Sequence, residues 1–196
     1  MKEDIWNDKN LIKTILENGV AVMPTDTIYG LVGKALNEDV VNRIYKIKKR
    51  NPDKPFIILI SDIKDLEKFS IVLSSEQLKK IAELWSFDLT QDFQPEPISI
   101  ILDCFDEKLK YLSRETNSLS FRLPNIKSLR NLVAKVGPVI ATSANREALP
   151  PCKDIVEAKK YFGNSTDLYV DGGTVENKHS KLIKLNRDGS IVVLRD

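Results

Sequence analysis

The sequence of 196 residues predicts a single α/β domain over residues 1–196, a twisted mixed sheet flanked by helices. Three observations carry that expectation. Short apolar runs of strand length alternate with segments whose apolar residues recur at helical spacing. Gly, Asn or Pro stand at the junctions, where helices and strands stop. No internal repeat or low-complexity linker divides the chain, and a domain of this size can bury a substantial core.

Each element follows from local chemistry. Residues 11–16 read as an opening helix stopped by Asn18-Gly19, a pair that suits a helix C-terminus. The apolar run 20–23 reads as a buried strand that ends at Pro24. Asn37 caps a helix carrying Val40, Val41, Ile44, Tyr45 and Ile47, with a cationic last turn as the helix dipole favours. The continuous apolar run 56–60 reads as a central strand. Segments 65–69 and 75–85 read as helices, and 98–102 and 119–123 as strands. Residues 128–136 form a helix stopped by Gly137-Pro138, followed by a strand at 139–142. A further helix over 153–162 ends at Gly163-Asn164. Residues 168–170, 182–185 and 191–194 read as strands, the last two as a hairpin through Asn186-Arg187-Asp188-Gly189. The largely polar stretch 86–97 reads as a long loop.

Composition narrows the function classes. No apolar run approaches the roughly 20 residues that span a bilayer, and the N-terminus lacks the pattern of a secretory signal. The cytoplasm is therefore the expected location, with no membrane partner. Cys104 and Cys152 stand apart and His179 is the only histidine, so neither a disulfide framework nor a metal site is expected. A net charge of +2 argues against a wholesale nucleic-acid binder. The charge is nevertheless uneven, with Lys46, Lys48, Lys49, Arg50 and Lys54 close together.

Four polar motifs stand beside apolar runs, where an α/β sheet places its ligand-handling groups. They are Pro24-Thr25-Asp26-Thr27-Ile28-Tyr29-Gly30, Lys48-Lys49-Arg50 with Lys54-Pro55, Ser120-Phe121-Arg122-Leu123-Pro124, and Thr142-Ser143-Ala144-Asn145. Gly30-Leu31-Val32-Gly33-Lys34 falls short of a phosphate loop, because its glycines are too close and Ala35 replaces the hydroxyl residue. A bound nucleotide must then be neutralised by cations and hydroxyls. Lys48, Arg50 and Lys54 can supply that charge on a turn stiffened by Pro52 and Pro55, unless they form only a solvated helix end. Thr25 and Asp26 either meet a ligand or bond their own turn. Strand alternation puts Ser118, Ser120 and Arg122 on one face, where Arg122 can grip a carboxylate or sit in a surface ion pair. Ser143 and Asn145 can bind a phosphate or ribose, or cap the next segment. His179 reads as a surface residue, so no serine-hydrolase constellation is expected.

Taken in order, the four motifs resemble the threonylcarbamoyl-AMP synthase family, the YrdC-like proteins, over residues 10–195. The resemblance implies a YrdC-like α/β fold, and larger members carry a further C-terminal domain for which this chain has no room. It implies a nucleotidyltransferase that joins L-threonine, bicarbonate and ATP into L-threonylcarbamoyladenylate and pyrophosphate. That is the first step of the threonylcarbamoyladenosine modification of tRNA, with the product passed to a tRNA threonylcarbamoyl transferase complex. Magnesium (Mg2+) is implied as the companion of ATP. Lys48, Arg50 and Lys54 would bind the ATP phosphates, with Lys48 and Arg50 stabilising the developing charge. Ser118, Ser143, Asn145 and Arg195 would complete the ATP site. Thr27, Arg122, Thr142 and Ser180 would bind threonine. No acid or base side chain is assigned. The chain departs from the family pattern at Asn51, at Leu59 where histidine is frequent, at Glu96 and at Lys181. Two other readings stand beside this one: an RNA-binding module centred on the 46–54 cluster, and a carbamoyl-transfer paralogue without threonine specificity. Weak RNA binding could also accompany the enzyme.

Overall fold

The computed structural model describes residues 5–86 and 96–196. Apart from Ser86, Glu96 and Pro97, the expected long loop lies outside the described residues. Helix α1 (Lys9–Leu16) starts at Asp8, whose carboxylate accepts from the Asn10 and Leu11 amides at 2.6 and 3.0 Å. It ends before Asn18, which adopts a left-handed φ of 64°. Strand β1 (Ala21–Pro24) turns through residues 25–28 into β2 (Tyr29–Lys34). Helix α2 (Glu38–Lys48) is capped as expected, the Asn37 side chain accepting from the Val40 amide. Strand β3 (Ile57–Leu59) follows, then a 3-10 turn (Ile63–Phe69) and α3 (Ser75–Leu84), the latter opened by a Ser74–Gln77 capping box.

Strand β4 (Ile98–Asp103) precedes the single turn α4 (Lys110–Ser113), which the periodicity does not announce. Strand β5 (Ser118–Arg122), α5 (Lys127–Val136), β6 (Val139–Ser143) and α6 (Ile155–Phe162) come next. Helix α6 begins later than the sequence suggests because Asp154 caps it, accepting from the Glu157 amide at 2.8 Å. Strands β7 (Leu168–Tyr169), β8 (Lys181–Leu185) and β9 (Ile191–Arg195) complete the chain. The β8–β9 hairpin forms where expected, with Gly189 at a φ of 84°.

The strands form one mixed sheet in the order β7-β1-β2-β6-β3-β5-β4-β8-β9. Pairs β1–β7, β3–β5 and β4–β8 are parallel, and the others are antiparallel. The apolar run of β3 is central, as its lack of alternation indicates. The larger core lies on one face, where Val40, Ile44, Phe69, Ile81 and Phe162 pack on the sheet. On the other face Leu11 and Ile15 of α1 and Leu129, Leu132 and Val133 of α5 cover residues of β1, β2, β3 and β6. That second layer stops short of β5, β4, β8 and β9. No helix among the described residues is long and apolar enough to cross a membrane.

Strand β2 is the strand that the sequence reading misses. Two glycines interrupt its alternation, and the segment looks like a defective phosphate loop. The glycines serve packing instead. A Cβ on Gly33 would lie 2.5 Å from Val40 Cγ1 and 3.2 Å from Ile44 Cδ1, so the strand and α2 meet there without a side chain. The stiff Val40 cannot swing away. Gly33→Ala is expected to cost about 1–3 kcal/mol. The measure is a lower urea midpoint at unchanged slope.

Candidate active site

A cavity of about 290 Å3 opens over the part of the sheet that α1 and α5 leave uncovered. Thr25, Thr27 and Ile28 of the turn, Arg50, residues 55–57, alternate residues of β5, the end of β6, and His179, Ser180, Leu182 and Arg195 line it. Alternation along β5 brings Ser118, Ser120 and Arg122 to the wall together, as their spacing predicts. The cavity therefore uses a sheet face as well as strand ends.

Arg122 is almost wholly buried and pairs with Asp26 at 2.8 Å; their side chains are 5% and 0% exposed. The contact is electrostatic but poorly aligned, for neither Asp26 oxygen nor Arg122 Nε makes a hydrogen bond. Arg130 is also near enough to feel the Asp26 charge. A buried carboxylate thus holds the guanidinium at the wall, and the surface ion pair weighed from the sequence does not form. Asp26 neither caps nor bonds the turn. Thr25 does that work, its Oγ1 donating to the Ile28 carbonyl at 2.8 Å and accepting from the Thr27 amide at 3.2 Å. Thr27, expected at the amino acid, stands on the cavity wall with its Oγ1 3.0 Å from that of Thr25.

Arg50 faces the cavity. Its Nε and Nη2 donate to the Lys54 and Pro55 carbonyls at 2.9 and 3.2 Å, and its guanidinium lies 5.2 Å from the Phe56 ring centre. These contacts fold the guanidinium back over its own turn. Arg195 enters from β9, donating through Nε and Nη2 to the Ser180 carbonyl at 3.1 and 2.9 Å. Ser180 is buried and its Oγ lies 2.8 Å from Ser99 Oγ. Desolvation, and then the Arg122 charge, lower the Arg195 pKa. Thr142 and Ser143 reach the wall from the end of β6, and Ser118 Oγ donates to Thr116 Oγ1 at 3.1 Å.

Three residues expected on ATP stand elsewhere. Lys48 is 1% exposed and does not line the cavity. Its ammonium donates to the Ser143 carbonyl, to the Asn145 carbonyl at 2.7 Å and to Asn145 Oδ1 at 3.0 Å. Three acceptors use all three protons, so the lysine braces the loop after β6 in place of reaching a phosphate. Burial, and then the Arg50 charge, bring its pKa down to about 7. Asn145 is likewise spent within that loop. Its Oδ1 also accepts from Ser143 Oγ at 2.6 Å, and its Nδ2 donates to the Leu149 carbonyl. Lys54 points outward into an ion pair with Glu147 at 2.7 Å, because the turn around Asn51 directs Arg50 inward and Lys54 away.

Sequence reasoning missed two wall or support residues with clear roles. Tyr29 lines the cavity and anchors the chain beyond β7, its hydroxyl donating to the Gly173 carbonyl at 2.8 Å and accepting from the Gly172 amide at 2.9 Å. His179, read as a surface residue, is exposed but stands on the cavity wall. Its adjacency to Ser180 was the available signal. Among the described residues, the resulting wall carries Arg50, Arg122, Arg195 and His179 and no acidic side chain. Such a surface selects anions.

Comparison with known proteins agrees with this geometry. A family model described as "Telomere recombination", the Sua5/YciO/YrdC domain, matches residues 13–196. A Coxiella burnetii protein named threonylcarbamoyl-AMP synthase is 28% identical over 164 residues, 82% of either chain. A Methanocaldococcus jannaschii protein named putative threonylcarbamoyl-AMP synthase is 29% identical over 187 residues, covering 95% of this chain and 83% of the relative. The structure of P. abyssi Sua5 complexed with L-threonine superposes with a TM-score of 0.79 at 26% identity. That match covers 97% of this chain and 54% of Sua5, so the chain spans about half of that protein's length. A sheet that exposes one end of a face, a cationic cavity built on it, and these matches place the chain in the Sua5/YciO/YrdC family.

Proposed function

We propose that the protein is an L-threonylcarbamoyladenylate synthase, which joins L-threonine, bicarbonate and ATP and releases pyrophosphate. One observation carries this reading: Arg50, Arg122 and Arg195, from three distant segments, share one cavity wall that has no acidic group among the described residues. Arg122 binds the amino-acid carboxylate through its planar fork, with Asp26 behind it fixing the approach. Thr27 and Thr142 stand beside it for the polar groups of the same substrate. Arg50 and Arg195 meet the phosphates, and Ser118 and Ser143 offer hydroxyls to the nucleotide.

The reaction requires the threonine carbamate oxygen to attack the α-phosphorus of ATP as pyrophosphate leaves. Such transfer depends on positioning and charge neutralisation more than on a covalent nucleophile. The arginines supply both, and Lys48 contributes by holding the Ser143–Asn145 loop. Magnesium enters as part of the nucleotide substrate. Among the described residues the wall offers it no carboxylate, so the ion would be held mainly by the nucleotide it accompanies. The product feeds the tRNA threonylcarbamoyladenosine pathway through a transferase complex in the cytoplasm.

The test is pyrophosphate release measured with ATP, bicarbonate and each amino acid in turn. Release that requires threonine is the expected result. Threonine should exceed serine by about tenfold or more, since one methyl group in a pocket is worth about 1–3 kcal/mol. Equal release without an amino acid would point to the carbamoyl-transfer paralogue. No release, together with tRNA binding that weakens steeply with salt, would point to the RNA module.

A further inference from the structure

The only histidine of the chain stands on the cavity wall and has no part in the reading above. His179 lies in a segment without regular secondary structure, tied down on both sides. Upstream, Tyr29 holds Gly172 and Gly173; downstream, Ser180 holds Arg195 and meets Ser99. The backbone at His179 is therefore held beside the Arg195 anchor, and among the described residues neither ring nitrogen has a hydrogen-bond partner. The charged groups it faces are cationic: Arg122 from β5 and Arg195 from β9, with Arg50 on the same wall. Asp26, behind that wall, is committed to Arg122. In its own segment Glu176 is paired with Lys153, and Lys178 adds a further positive charge.

We propose that His179 is a further substrate-contacting residue, which takes up one proton as the anionic nucleotide enters and then donates a hydrogen bond to it. This rests on the nucleotide reading of the cavity. In the empty cavity, desolvation and then the Arg195 and Arg122 charges hold the imidazole below its ordinary pKa, so it is neutral near pH 7. A triphosphate reverses the balance of charge around the ring and favours the protonated form. The proton comes from solvent, and no covalent bond changes. Binding and protonation then reinforce each other: nucleotide affinity rises as pH falls between the bound-state and free-state pKa values.

A single histidine makes the test direct, because only one imidazole is present to observe by NMR. The ring is titrated alone, with saturating ATP and with saturating inorganic pyrophosphate. ATP is expected to raise its pKa by about 1 unit or more. In parallel, ATP affinity is measured across the same pH range for the wild type and for His179→Gln, which keeps a donor but cannot titrate. Their difference removes the titration of ATP itself. The wild type should tighten by about tenfold more than the variant as pH falls. Saturation by ATP with an unmoved histidine, or identical pH dependence in both proteins, overturns the role of His179 and leaves the nucleotide reading standing. Failure of ATP to bind, with pyrophosphate still raising the pKa, keeps the anion contact and overturns the nucleotide reading. Failure of both ligands to bind overturns both.

Discussion

Arg122→Ala is expected to abolish threonine-dependent pyrophosphate release and to destabilise the fold by about 3–5 kcal/mol. The activity loss follows from removing the guanidinium proposed above to hold the substrate carboxylate. The stability loss has a separate origin. Asp26 is completely buried, and its oxygens have no hydrogen-bond partners to fall back on. Without Arg122 its charge is left largely uncompensated in a low-dielectric site, with Arg130 nearby. The double variant Asp26→Asn/Arg122→Met separates the two effects. It should recover much of the lost stability, because both charges go together, while activity stays absent. Chemical denaturation of wild type, Asp26→Asn, Arg122→Met and the double gives the coupling energy directly. A fully stable Arg122→Ala protein would show that the pair contributes nothing to the fold.

Lys48→Met is expected to have the second largest effect, and it should damage binding of both substrates. The ammonium bridges the Ser143 and Asn145 carbonyls and the Asn145 amide, so its loss frees the loop that carries Ser143 to the cavity. Three hydrogen bonds to a charged group disappear, a cost on the order of 1.5–3 kcal/mol each before relaxation. The expected signature is a fall in kcat/KM for ATP and for threonine alike, with faster proteolysis between residues 143 and 150. A rise in the KM for ATP alone, with an unchanged loop, would restore Lys48 as a phosphate ligand.

The pH dependence of stability adds a check on Lys48. Its pKa in the folded protein is lowered to about 7 by burial. Between that value and its higher unfolded value, unfolding takes up a proton, so stability rises with pH through this window. The slope is at most about 1.4 kcal/mol per pH unit. Lys48→Met should lose that slope.

The sequence alone determined the sheet and most of its strands, because burial imprints periods of two and near four on the chain. Helix starts at Asn37 and the hairpin turn at Gly189 were equally local, set by a side-chain cap and a left-handed φ. It also determined that Ser118, Ser120 and Arg122 share a face, since alternation admits no other arrangement within a strand. Strand β2 escaped because its glycines answer to α2, a neighbour that local pattern does not encode. Tertiary structure alone decided which cations face the cavity. Lys48, Arg50 and Lys54 are indistinguishable as a basic cluster, yet packing turns the first into the β6 loop, the second inward and the third toward Glu147. It also decided that Asp26 pairs with Arg122 and that His179 reaches the wall. Long side chains take their direction from partners brought near by folding, and those partners come from segments far apart in the chain.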